Sequence, residues 1–127
     1  ELKQVGHSLI IDCHSFPKYP LLYEMDQTSD RAEICIGTDD FHTPHNLAVV
    51  VKEGFSKAGF STALNKPFAG AIVPIEHYRK NKAVTSIMIE IRRDLYMDEV
   101  TGRKIENFAV VKNAISEVLQ ELVEQDG

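Results

Sequence analysis

The stretch Ser8-Leu9-Ile10-Ile11-Asp12-Cys13-His14-Ser15-Phe16 constrains this chain more than any other. Leu9, Ile10 and Ile11 are apolar without alternation, the pattern of a strand buried on both faces and hence of a sheet covered by helices on both sides. The expected fold is therefore α/β. The same strand ends abruptly in an acid, a thiol, an imidazole and a hydroxyl. In open α/β sheets ligands sit beyond the carboxyl ends of the strands, where the loops diverge, so these polar residues are candidates for chemistry. Side chains alternate along a strand, which places Asp12 and His14 on one face and Cys13 on the other.

The chain has 127 residues, enough for one domain with a single core. A net charge of −5 without a basic cluster argues against nucleic acid or an anionic membrane as the main partner. No apolar run is long enough to span a bilayer. The two cysteines each lie in an apolar strand-like run and read as reduced core residues, which favours a cytoplasmic setting. Residues 1–6 resemble the last turn of a helix with Gly6 as its stop. A chain that begins inside an element is expected to be the C-terminal part of a larger catalytic domain, with its sheet incomplete at the N-terminus.

Residues 16–30 contain Pro17, Pro20 and a Gln-Thr-Ser-Asp cluster and read as a long loop. Tyr19, Leu21, Leu22 and Tyr23 make it less polar than a free linker, and it is expected to fold back on the body. Residues 32–38 predict a short strand closed by Gly37. Thr43 followed by Pro44 predicts an N-cap and a first helical position. Leu47, Val50, Val51 and Phe55 carry the helical period, and Gly59 ends it. Residues 60–65 are strand-like and are cut by Lys66-Pro67, while residues 68–73 are apolar but glycine-containing and suit a loop or short edge element. Residues 76–82 are polar and read as solvated. Residues 84–93 form the second strong strand, with Ile87, Ile89 and Ile91 on one face and Met88, Glu90 and Arg92 on the other. From Lys104 onward, Phe108, Val111, Ile115, Val118 and Leu122 form one helical stripe that should pack on the sheet.

Four groups of residues are candidates for chemistry. His14 suits a metal ligand with Asp12 as an acceptor for its second ring nitrogen, or a histidine satisfied by backbone. Glu90, a carboxylate in the middle of an apolar strand, is either a general base or the partner of Arg92 or Arg93 in an ion pair. His42 and His45, preceded by Asp39 and Asp40, have helix-compatible spacing for a local metal site, but surface residues around an N-cap are the better reading. Cys13 beside His14 is discounted as a nucleophile and base, because alternation separates them.

Taken together, Ile11-Asp12-Cys13-His14-Ser15-Phe16, Ile34-Cys35-Ile36-Gly37-Thr38, Asn65-Lys66-Pro67-Phe68-Ala69-Gly70 and Ile89-Glu90-Ile91-Arg92-Arg93-Asp94-Leu95-Tyr96-Met97 resemble the N-formylglutamate amidohydrolase family, in order along most of the chain. That family looks like a branch of the zinc carboxypeptidase and aspartoacylase fold group. The resemblance implies a mixed, mostly parallel, phosphorylase/hydrolase-like sheet flanked by helices on both faces. It implies a zinc-dependent hydrolase of the amide bond of N-acyl amino acids, in the named case N-formylglutamate to formate and glutamate within histidine degradation. His14, in Asp-x-His-Ser, is then a zinc ligand, Asp12 its supporting acceptor and Glu90 the catalytic glutamate. Ser15, Asn65 and Arg92 are then substrate-binding, with Asn65 and Arg92 placed to hold the substrate carboxylate.

The fold group takes its first two zinc ligands from an upstream His-x-x-Glu type motif, and none precedes His14 here. A catalytic zinc has three protein ligands plus water. This chain by itself is therefore expected to be inactive, with the remaining ligands upstream. The alternative reading is a non-catalytic ligand-binding or scaffold domain that retains the fold.

Overall fold

The computed structural model describes residues 2–126. A single helical turn, α1 (Leu2–Val5), stops at Gly6 (φ +81°) and leads into β1 (Ser8–Phe16). There follow β2 (Ile34–Gly37), α2 (His45–Lys57), β3 (Thr62–Leu64), β4 (Val84–Arg92), a 3-10 turn (Arg93–Leu95) and α3 (Phe108–Asp126). The four strands form one sheet in the order β1-β4-β2-β3. The β1–β4 and β2–β3 pairs are parallel and the β4–β2 pair is antiparallel, the mixed, mostly parallel sheet that the family resemblance implies. No described helix is long and apolar enough to cross a membrane.

Alternation sorts the β4 side chains as expected. Ile87, Ile89 and Ile91 join Ile34 and Ile36 on one face, where Val51 and Phe55 of α2 and Val111, Val118 and Leu122 of α3 complete the core. Each such side chain, once fully buried, contributes roughly 1.5–3 kcal/mol. Residues 68–72 lie over the other face. There the Phe68 carbonyl accepts from Cys35 Sγ at 3.2 Å and the Ile72 carbonyl from Ser86 Oγ at 2.7 Å. A backbone can run this close because Gly37 has no side chain: a Cβ there would sit 2.3 Å from the Gly70 carbonyl oxygen and 2.4 Å from Met88 Cε. Gly37→Ala is therefore expected to cost about 2 kcal/mol, read as a lower urea midpoint at unchanged m-value.

The stop of α2 is the predicted one. Gly59 takes φ +93°, its N–H donates to Ser56 O, and Phe60 N–H donates to Phe55 O. This is the Schellman arrangement, and its customary apolar contact is the Phe55–Phe60 ring pair at 6.5 Å. The start of α2 differs by one residue. Pro44 (φ −57°, ψ 143°) occupies the N-cap position, and the Thr43 hydroxyl instead accepts from Asp39 N–H and donates to Ser86 O at 2.6 Å. The Asp39 N–H takes the hydroxyl oxygen that the helix's own amides would otherwise use, and the bond to the Ser86 carbonyl ties the loop to the sheet. Helix α3 begins at Phe108 rather than near Lys104. Residues 97–104 close a tight turn, with a Met97–Lys104 bridge and the Asp98 carboxylate accepting from Val100 and Thr101 N–H, and this local bonding competes with helix.

Candidate active site

The site is built where two parallel strands end side by side. In the β1–β4 register His14 pairs with Glu90 and Phe16 with Arg92, so Asp12, His14 and Phe16 share a face with Glu90 and Arg92. Cys35 of β2 pairs with Glu90 from the opposite side. His14 Nε2 lies 2.8 Å from Asp12 Oδ1, as expected for residues two apart on a strand edge, and the imidazole is half exposed. Its Nδ1 makes no hydrogen bond among the described residues. This leaves the ring fixed at one nitrogen and open at the other.

Glu90 is only 8% exposed. The two arginines that follow it do not neutralise it. Arg92 grips both oxygens of Asp94, at 2.7 and 3.3 Å, and Arg93 faces Glu99 at 3.6 Å. Burial pushes the Glu90 carboxyl above the usual carboxylate range, the nearby His14 imidazole opposes the shift, and the Asp12 carboxylate adds to it. A carboxylate held in this way binds a proton more readily than a solvated one.

The sequence-derived candidates separate into two groups. Asp12, His14 and Glu90 converge. Ser15 alternates with His14 along β1 and, with Cys13, borders a cavity of about 460 Å³ beside α3 that His14 also lines, walled by Tyr96, Phe108, Val111 and Ile115. Strand alternation, applied to Ser15 as it was to Cys13, separates it from His14. Cys35 is the buried core residue expected, but Cys13 is exposed, because β1 is an edge strand of the sheet. Partial desolvation raises its thiol and the Asp12 carboxylate raises it further. Asn65 stands two strands away, past the end of β3 in a left-handed conformation (φ 58°). Its side chain accepts from Thr38 N–H and donates to the Thr38 hydroxyl, both at 2.8 Å, so it holds a turn rather than facing His14. Arg92 lies on the right face, but its fork is engaged by Asp94 and by the Arg31 carbonyl at 2.6 Å.

His42 is fully buried and is part of the scaffold. Its Nδ1 meets the Val84 carbonyl at 2.7 Å and its Nε2 accepts from Arg79 N–H at 2.8 Å. His45, by contrast, is exposed at the start of α2. Among the described residues, no group of three or more His, Cys, Asp or Glu side chains is arranged to hold a metal ion. Sequence reasoning missed Arg31 and Glu24, a buried ion pair just beyond the His14–Glu90 pair. Neither belongs to a motif, and the contacts that bury them come from distant parts of the chain.

An open, mostly parallel α/β sheet with an imidazole and a buried carboxylate side by side near the strand ends places them where open α/β sheets hold their ligands. The model of the N-formylglutamate amidohydrolase family matches residues 1–97, which include all of Asp12, His14 and Glu90, and the chain belongs to that family. Among solved structures, the N-formylglutamate amidohydrolase from Ralstonia eutropha JMP134 superposes with a TM-score of 0.82 at 26% identity, over 98% of this chain and 45% of that one. The chain thus spans less than half the length of that protein. No curated protein matches the sequence.

Proposed function

We propose that these residues carry part of the active site of a zinc-dependent amidohydrolase that cleaves N-acyl amino acids, N-formylglutamate first among them. The observation that carries the reading is the pairing of His14, fixed at Nε2 by Asp12 and open at Nδ1, with a buried Glu90 that makes no direct ion pair among the described residues. The donor set suits zinc as far as it goes: a neutral imidazole with a carboxylate behind its second nitrogen is the common form of a histidine ligand. His14 would supply one ligand of the three a catalytic zinc requires, and the other two would have to come from outside these residues. The family assignment and two free cysteines, Cys13 and Cys35, support a metabolic enzyme of the cytoplasm.

When bound, zinc supplies Lewis-acid polarisation of the acyl carbonyl and makes water a better nucleophile. Glu90 accepts the proton of the attacking water as its oxygen bonds to the acyl carbon. It then delivers that proton to the amide nitrogen as the C–N bond breaks, releasing the acid and the free amine. Its raised proton affinity suits a group that must both take and return a proton. Arg92, on the same face, is proposed to address the substrate carboxylate, at the expense of part of its hold on Asp94.

Asp12 keeps His14 in one orientation and tautomer. Asp12→Asn is therefore expected to weaken zinc affinity on the order of 10–100-fold, measured by competition with a chromogenic chelator on the full-length protein. The reading as a whole is tested by zinc content and formate release from N-formylglutamate, on this chain and on the longest parent protein. About one zinc per chain and turnover in the parent support it. A parent with neither is a binding domain that kept the fold.

A further inference from the structure

The 17–30 loop leaves the C-terminal end of β1 and returns to β2, and it is wound around one guanidinium. Arg31 is 5% exposed. Its Nε donates to Thr28 O at 3.3 Å, its Nη1 to Pro17 O at 3.2 Å, and its Nη2 to Asp26 O at 2.9 Å and to the Glu24 carboxylate. The loop's first residue, its middle and its last turn are thus collected by one side chain. Further bonds within the loop, from Gln27 Nε2 to the Leu21 and Glu24 carbonyls, close its outer half.

The position of this clasp follows from the register. Phe16 and Arg92 lie one step beyond His14 and Glu90 on the same face. The Arg31 guanidinium sits over the Phe16 ring at 5.9 Å and the Phe68 ring at 5.7 Å, and its carbonyl receives Arg92 Nη1 at 2.6 Å. The clasp therefore rests on the residues that immediately follow the His14–Glu90 pair. The same loop leaves Leu22, Tyr23 and Met25 exposed, at 99%, 83% and 101%. Apolar side chains this exposed gain nothing for the fold, so the ordered bonding of the loop serves something other than their burial.

We propose that Arg31, with Glu24 as its counter-ion, is a positioning residue that holds the 17–30 loop as a wall of the active site, against which the remote part of an N-acyl amino acid substrate packs. This rests on the amidohydrolase reading. A lysine cannot replace Arg31, because a single ammonium lacks the planar fork that reaches three carbonyls and a carboxylate at once. Glu24→Gln keeps the shape of the partner while removing its charge.

The test uses the full-length protein, wild type and with Arg31→Lys, Glu24→Gln or both. Chymotryptic nicking within residues 19–25 reads loop opening, and hydrolysis of N-formylglutamate reads the wall. Each single variant should be nicked on the order of tenfold faster, because nicking tracks local opening. Each should also show a KM raised on the order of tenfold with kcat within about threefold, because the loop touches no reacting atom. The double variant should be no worse than the worse single variant, since both changes break one clasp. Should Arg31→Lys fail to fold, Glu24→Gln carries the same two readouts. Nicking at the wild-type rate in Glu24→Gln overturns the clasp, and faster nicking with an unchanged KM overturns the wall. A wild-type protein that hydrolyses no N-acyl amino acid removes the amidohydrolase reading and the wall with it, while the nicking rates still decide the clasp.

Discussion

Glu90→Gln should leave the full-length protein folded and with its zinc, and lower kcat for N-formylglutamate on the order of 10²- to 10⁴-fold, the range for losing a positioned proton carrier. The amide occupies the same volume between Cys35 and His14 on neighbouring strands. It can neither accept the proton of water nor return it to the leaving nitrogen. Undiminished turnover would remove Glu90 from the mechanism.

The same variant makes an independent prediction about stability. Burial raises the folded-state proton affinity of Glu90 above that of the unfolded chain. Below the ordinary carboxylate range both states are protonated and the group is neutral to folding. As pH rises the unfolded state ionises first, so the folded state loses stability progressively, and the loss is complete above the raised folded value. Gln cannot ionise. The metal-free variant should therefore melt above wild type at neutral pH, and the two should converge as pH falls through the ordinary carboxylate range. Thermal melts at several pH values give the comparison, and a variant that melts lower throughout would mean that the carboxylate is favourably held. A site that becomes more stable when its chemistry is removed is the usual trade at an active centre.

His42→Ala should cost about 3–5 kcal/mol of stability. The carbonyl of Val84 can only accept and the N–H of Arg79 can only donate, so the ring carries its hydrogen on Nδ1 and is satisfied at both nitrogens. Removing it orphans two backbone groups and leaves a void beside Tyr78, which stacks on the ring at 5.8 Å. The Arg79 N–H belongs to a residue in the left-handed region (φ 54°), so its loop loses the bond that holds that conformation. Chemical denaturation measures the effect. His45→Ala, at an exposed position three residues away, serves as the control and should stay within about 0.5 kcal/mol of wild type.

The two histidines show where a sequence stops being informative. Three residues apart in one polar stretch, they invite a common reading as N-cap surface, and His45 fits it. His42 does not, because its environment is made by Val84 and Arg79, about 40 positions downstream. Thr43 is the same case on a smaller scale: its hydroxyl belongs to a helix start by local rules and to Ser86 O by tertiary contact. Asn65 and Arg92 were both fitting residues for a substrate carboxylate by chemistry. Their partners, Thr38 for one and Asp94 with the Arg31 carbonyl for the other, became visible only in three dimensions.

The sequence by itself determined the elements and the faces. Uninterrupted apolar runs, the i, i+4, i+8 stripe of α2, the Gly59 stop and the two-residue alternation that joins Asp12 to His14 all follow from local backbone geometry, which has a fixed period. Tertiary structure decided the register that sets His14 beside Glu90, the burial of Glu90, and the winding of the 17–30 loop around Arg31. Each depends on contacts between residues far apart in the chain, whose pairing has no period to read. It is settled by which closure buries the most apolar surface while leaving the fewest polar groups unpaired.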